Sequence, residues 1–414
     1  MNKIKLILMV TTFFLTLEVR ANEVVKWSNL ALQAIRINKT VPPVAARNLA
    51  VLQVGIYDVV NSYSKKNQPY LKYFELDKEI NLEIAVARVS FDLLSEMYPT
   101  WKPTWEENLN STLIKFKNDH IKLNSFDYAD KVAQMIWDLR KDDLKVSSNF
   151  DYHYFLNDVG VWVPTPPKYD PPLLANWGKV KPFGILEGKQ FRQDGPPKFY
   201  SLEYAKDFNE IKEYGSKTNS KRTKEQTDIA LFWADGSGTV TPPGHWNKIA
   251  INIIKAKNLD IFETSKLMTL LNISLADAGI SAWDMKYTFN CWRPITAVRD
   301  AGIDDNVQTE SDEGWEPLLI TPPFPDYVSG HSTFSAAAST ILSLYFGTDR
   351  FNFSTDSEGL PGVIRNYSSF SEAAYEAGRS RIYGGIHYEF ANRDGLRAGR
   401  KVAEYIYSKI LTKN

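Results

Sequence analysis

Cysteine is nearly absent from this chain: Cys291 is the only one in 414 residues. A lone thiol forms neither an internal disulfide nor a structural zinc site, so stability has to come from core burial. Charge of one sign is missing too. Lys and Arg number 49, as do Asp and Glu, and that balance removes the basic surplus on which nucleic-acid and anionic-membrane binding usually draw. Past the N-terminus no segment is apolar enough to cross a bilayer, and no internal repeat is found. What is present is the composition of a soluble globular chain, 43% apolar and 24% charged, long enough for one large or two ordinary domains.

The N-terminus reads as an export signal over residues 1–21. Lys3 and Lys5 precede an apolar run from Leu6 to Leu17, and Val19-Arg20-Ala21 offers a small-residue cleavage site before Asn22. The run is short for a membrane anchor. Residues 1–21 are therefore expected to be removed, leaving a periplasmic or secreted protein with no membrane span.

Apolar spacing predicts an all-α fold. Helical pattern covers 43–63, 80–98, 105–120 and 125–140. It resumes over 203–214, 224–234, 246–256, from 263 towards 291, and over 333–345, 370–383 and 393–410. Between Gly160 and Tyr200 stand eight prolines (164, 166, 167, 171, 172, 182, 196 and 197), which forbid regular helix or central strand. Trp162, Trp177, Phe183 and Phe191 anchor this stretch as an ordered loop. Two helical bundles are expected, 22–200 ending in the proline-rich loop and 201–414 carrying the chemistry.

Three clusters in the second part concentrate cations, histidine and helix-start signals. In the first, Trp283-Asp-Met-Lys286-Tyr-Thr-Phe-Asn-Cys-Trp-Arg293-Pro294, Lys286 and Arg293 are seven positions apart. Two helical turns would bring both to one face; a solvated face with a snorkelling lysine is the plainer alternative. In the second, Pro322-Pro-Phe324-Pro-Asp-Tyr-Val-Ser329-Gly330-His331, Ser329 sits where a helix N-cap belongs. Free amides and the helix dipole make such a start an anion site, with His331 at its rim to move protons near neutral pH; an ordinary capped helix with a chance histidine competes. In the third, Gly378-Arg-Ser-Arg381-Ile-Tyr-Gly-Gly-Ile-His387, two glycines let the chain turn so that Arg381 and His387 reach one space. A structural histidine is the other option there. Asp304, Asp305, Glu310, Asp312 and Glu313 form an acidic loop, read as a solvated charge run ahead of a calcium site.

Taken in order, Lys-x6-Arg-Pro, Ser-Gly-His and Ser-Arg-x5-His resemble the three-part signature of the vanadium-dependent haloperoxidase and type 2 phosphatidic acid phosphatase (acid phosphatase) superfamily. Phe232-Trp-Ala-Asp235-Gly with Pro242-Pro243, and the loop 162–183, look like segments of its soluble haloperoxidases. The resemblance implies a vanadate cofactor, with phosphate able to occupy the same site. It implies His387 as the single vanadium ligand, and Lys286, Arg293, Arg381, Ser329 and Gly330 around the vanadate oxygens. His331 resembles the acid–base group, with Lys286 polarising bound peroxide and Asp235 supporting His331. Trp283 and Phe324 match the halide region. Hydrogen peroxide, a halide and small organic acceptors are the implied partners. The sequence departs from the pattern at Val328, where a proline usually precedes Ser-Gly-His and whose change is expected to loosen the loop, and at Ala391, where an aspartate often follows the histidine by four. The second departure leaves His387 without its expected orienting partner. A haloperoxidase is the favoured reading. An acid phosphatase with His387 as nucleophile and a non-catalytic oxyanion binder are the alternatives.

Overall fold

The computed structural model describes residues 23–148 and 158–413; the expected export segment lies outside them. The described chain runs α1 (Glu23–Ile37), α2 (Pro42–Ser64), α3 (Leu82–Met97), α4 (Lys102–Leu113), α5 (Asp119–Arg140) and α6 (Asp143–Ser148). After the proline-rich stretch come α7 (Leu202–Tyr214), α8 (Lys224–Phe232), α9 (Thr241–Lys257), α10 (Ile261–Phe289) and α11 (Pro294–Arg299). The chain ends with α12 (Gly330–Phe346), β1 (Arg350–Asp356), β2 (Ile364–Ser369), α13 (Phe370–Tyr383) and α14 (Glu389–Lys409). The fold is all-α apart from the β1–β2 hairpin, an antiparallel pair in which Phe353 faces Tyr367. No helix among the described residues is long and apolar enough to cross a membrane.

Several boundaries follow from local chemistry that periodicity does not show. Asn118 caps α5 by accepting from the amides of His120 and Ile121, which divides the 105–140 region earlier than expected. Pro242 and Pro243 open α9 at its first turn, where a missing N–H costs nothing. Asp260 and Glu263 form a capping box at the start of α10.

α10 is the axis of the molecule. Its 29 residues are buried along most of their length, as expected of a helix apolar all round. It packs against α2, itself against α3 and α5, and against α12 and α14. The two helical bundles therefore meet on one shared helix, and their packing runs across residue 200. The proline-rich stretch is a strap along α10. Trp162 N donates to Asn290 O, Trp292 N to Gly160 O and Leu173 N to Pro323 O, at 2.8–2.9 Å. Arg192 grips Asp284 with two 2.8 Å bonds. Its deepest fixing is Asp277, wholly buried on α10, whose carboxylate accepts the amides of Phe183, Gly184 and Ile185 at 2.7–2.9 Å. Asp277→Ala would leave three buried donors unpaired. We expect a loss on the order of 3 kcal/mol of stability, read as a lower urea midpoint for unfolding.

Candidate active site

The site forms where the end of α10, the 322–329 loop, the end of α13 and the turn before α14 meet. Lys286, in the last turn of α10, is fully buried. Its Nζ donates to Pro325 O (2.9 Å), Asp326 O (3.1 Å) and Val328 O (2.6 Å). An ammonium has three protons, so all of them go to this loop. Burial, then the charge of Arg293, pushes its pKa well below the ordinary lysine value. Lys286, assigned by resemblance to the anion oxygens and to peroxide, clamps this loop. Val328, expected to loosen that loop, is buried with its carbonyl held by the clamp.

Arg293 reaches the same loop by a route other than two helical turns. α10 stops at Phe289, Asn290 turns left-handed, and Arg293 is extended before Pro294 opens α11. Its Nε donates to Phe324 O (2.7 Å) and its Nη1 to Ile386 O (2.6 Å). Nη2 is buried and has no partner among the described residues. Arg381, in the last turn of α13, donates from Nη1 to Trp233 O (3.0 Å), while its Nε is likewise buried without a partner. Burial draws Arg293 down to about 10 and Arg381 to about 9. Both stay charged at neutral pH.

Gly384 and Gly385 then reverse the chain. Gly385 has φ +77°, and a Cβ there would lie 2.4 Å from Gly215 O, so only glycine fits. The reversal delivers His387, 2% exposed, from the turn ahead of α14. Its Nε2 is 3.1 Å from Arg293 Nη1. Its Nδ1 is 3.0 Å from Asp326 Oδ1, close but out of line for a hydrogen bond. Burial, then Arg293, Lys286 and Arg381, drives its pKa well below the usual histidine value. The ring is neutral, and a guanidinium N–H facing Nε2 makes that nitrogen the one with the lone pair.

Asp326 thus stands where Ala391 was expected to leave a gap. It is wholly buried, and burial raises it to about 7 against the pull of Arg293 and Lys286. Asp394, on α14, bonds Tyr327 and Arg393. Ser329 caps α12 as expected, its Oγ accepting from Ser332 N and Ser332 Oγ. The Gly330 amide is the first of that helix. His331 follows, half-buried, with Nε2 3.3 Å from Ala234 O. Burial, then Arg381, holds its pKa well below the ordinary value. The indole of Trp283 and the ring of Phe324 lie 5.0 Å apart, with Lys286 Nζ 4.8 Å from the Phe324 ring.

Asp235, matched by resemblance to the support of His331, has its hydrogen bonds with a different histidine. Both of its oxygens face His245 Nδ1, at 3.1 and 3.2 Å. Asp326 and His245 are thus the two residues that motif matching overlooked. Asp326 was in view inside the second motif, and His245 stands two residues beyond Pro243. The acidic 304–313 loop turns on itself, Asp304 accepting from Thr309 Oγ1 and Asn306 N. Among the described residues, no three His, Cys, Asp or Glu side chains gather as a bound cation would require.

Two buried guanidinium groups with unused donors, a capped helix start and one neutral imidazole fit an oxyanion that takes many hydrogen bonds and a single nitrogen. The fold is similar to that of a solved bacterial vanadium-dependent iodoperoxidase: TM-score 0.84 and 31% identity, over 95% of this chain and 97% of that one. The chain belongs to the vanadium haloperoxidase family. A family model, the VCPO second helical-bundle domain, matches residues 266–413, the span holding the three motifs. Vanadium chloroperoxidase of Curvularia inaequalis is 24% identical over 494 residues, covering 90% of this chain and 79% of that protein. A bacterial vanadium-dependent chloroperoxidase shares the haloperoxidase fold at TM-score 0.71 and 14% identity, covering 89% of this chain and 92% of that one.

Proposed function

We propose that this chain is a vanadate-dependent haloperoxidase, using hydrogen peroxide to oxidise a halide to hypohalous acid that passes to small organic acceptors. The observation that carries the reading is the pair of buried, unpartnered donors, Arg293 Nη2 and Arg381 Nε, beside a neutral His387. In this reading His387 Nε2 is the only metal ligand. Arg293, Arg381, the Ser329 hydroxyl and the Gly330 amide hold anion oxygens, helped by the positive end of α12. Lys286 acts indirectly, fixing the loop that presents Phe324, Asp326 and Ser329. Vanadate, when bound, supplies a Lewis-acid centre at which peroxide oxidises halide without a change in the metal's oxidation state. His331, neutral and at the rim, accepts a proton from incoming peroxide and returns it as the O–O bond breaks. The sum is one peroxide, one halide and one proton giving hypohalous acid and water. Trp283 and Phe324 offer the halide a polarisable wall. Phosphate suits the same cradle, and export by residues 1–21 completes the reading.

The contact between Asp326 and His387 Nδ1 favours a second reading, since it supplies the support a phosphatase nucleophile needs. The test is an assay of the vanadate-loaded chain with peroxide and iodide, bromide or chloride, beside a phosphomonoester assay of the metal-free chain. Iodide comes first because it is the most easily oxidised and because the 31%-identical neighbour is an iodoperoxidase. Halide oxidation that requires vanadate is expected. Phosphomonoester turnover alone, inhibited by vanadate, would install the second reading. His331→Ala should slow halide oxidation by roughly 100-fold or more with vanadium content unchanged by elemental analysis.

A further inference from the structure

The segment 233–235 touches the site twice through its backbone and turns a side chain to a neighbouring histidine. Trp233 O accepts from Arg381 Nη1 at 3.0 Å, Ala234 O lies 3.3 Å from His331 Nε2, and the Asp235 carboxylate faces His245. These carbonyls are fixed in direction only if the turn that carries them is fixed. Asp235 sits at φ +42°, a left-handed conformation that is unfavourable for a residue with a side chain unless its surroundings hold it. His245 does the holding. Its ring stacks on the Trp233 indole, with centroids 4.6 Å apart and planes 24° from parallel. Its Nδ1 meets both Asp235 oxygens, and its Nε2 lies 3.2 Å from Thr355 Oγ1 on β1. The indole is held from its other edge, Nε1 donating to Glu376 at 2.9 Å. His245 and Asp235 are both buried, 2% and 4% exposed. No contact of His245 reaches Arg293, Ser329 or His387, so it acts through the turn and not on a bound anion.

We propose that His245, paired with Asp235 and braced by the β1–β2 hairpin, is a positioning residue. It locks the 233–235 turn so that two successive carbonyls aim Arg381 at the oxyanion and His331 at the proton it moves. The acidic side chain that resemblance assigned to His331 is thus one step removed, acting on its backbone neighbour's carbonyl through a second histidine. The hairpin, otherwise unconnected with the pocket, becomes part of the active-site support through Thr355. The role of His331 in this proposal rests on the haloperoxidase reading; that of Arg381 requires only an oxyanion.

The two can be tested apart. His245→Phe keeps a ring against Trp233 and removes both nitrogens, whereas His245→Asn restores a donor towards Asp235. Inorganic phosphate binding to the metal-free chain, by titration calorimetry, reads Arg381. kcat and KM for iodide oxidation by the vanadate-loaded chain read His331. His245→Phe is expected to weaken phosphate on the order of tenfold and to lower kcat by about tenfold or more, with the KM for iodide little changed and with partial recovery of both in His245→Asn. A folded His245→Phe chain that binds phosphate and turns over within twofold of wild type overturns the proposal, as does a loss that His245→Asn does not relieve. If His245→Phe fails to fold, Thr355→Val, which removes the partner of Nε2 along with a 3.2 Å bond to the neighbouring Asp356 O, is held to the same phosphate comparison, a loss supporting and wild-type affinity overturning the proposal. Weakened phosphate binding in a chain whose wild type oxidises no halide would keep the positioning role and sink the haloperoxidase reading alone.

Discussion

His387→Ala should fold, yet retain no vanadium after desalting and oxidise no halide above background. Apart from His331 at the rim, the groups assigned to the anion give protons: two guanidinium groups, a hydroxyl and a helix-start amide. Donors of that kind hold an oxyanion's oxygens but form no bond to its central atom. Beside the two arginines, His387 Nε2 is the nitrogen with a lone pair, 3.1 Å from Arg293 Nη1, and burial disfavours protonation of that imidazole. Removing it should cost more than the roughly 10–100-fold that an outer partner of a metal ligand commands. Elemental analysis after reconstitution is the measurement, with phosphate affinity as the control, since the two arginines remain to bind it. Vanadium content equal to wild type in His387→Ala would remove the ligand assignment.

The second large effect belongs to Asp326. Its carboxylate lies 3.0 Å from His387 Nδ1 and 3.8 Å from Arg293 Nη1, with no exposure to solvent. Deleting it in Asp326→Ala strands a buried guanidinium beside a cavity, at a cost on the order of 3 kcal/mol. It also frees the imidazole to rotate, and vanadate affinity should fall roughly 10–100-fold. Asp326→Asn preserves the volume and an oxygen that can face Nδ1, so it should lose less of both. A urea unfolding series and a vanadate titration of the two variants separate the contributions. If alanine and asparagine lower vanadate affinity equally, the orienting oxygen is irrelevant and only the charge matters. If neither lowers it, Asp326 is a structural ion and His387 is aimed by something else.

What could be read from residue order and what could not divide along physical lines. The N-cap at Ser329, the double-glycine reversal before His387 and the helical class follow from local backbone rules, and local sequence is enough to state them. The partners of Lys286, Asp326 and Asp235 follow from which buried groups meet after folding. Asp326 and His387 are brought together only because the loop before α12 packs under the turn before α14, and no spacing within either motif contains that fact. Resemblance is silent at the same places for the same reason: it carries residue types, while the partners of the Lys286 hydrogens and the Asp235 oxygens depend on what stands nearest after folding. The hairpin escaped because the alternation of β1 runs over only seven residues and that of β2 over six, too short to stand out between two helical patterns.

α14 crosses α12 on two glycines one turn apart. A methyl group at Gly399 would lie 2.1 Å from Thr333 O, and one at Gly395 would lie 2.8 Å from Ser329 O and 3.1 Å from Ser332 Cβ. The helix that follows the His387 imidazole is therefore pressed, main chain to main chain, against the very carbonyl of Ser329, which caps α12. Such a seam works as a gauge block. It sets the gap between nitrogen and hydroxyl by bare backbone thickness, which side-chain drift elsewhere in the bundle does not alter.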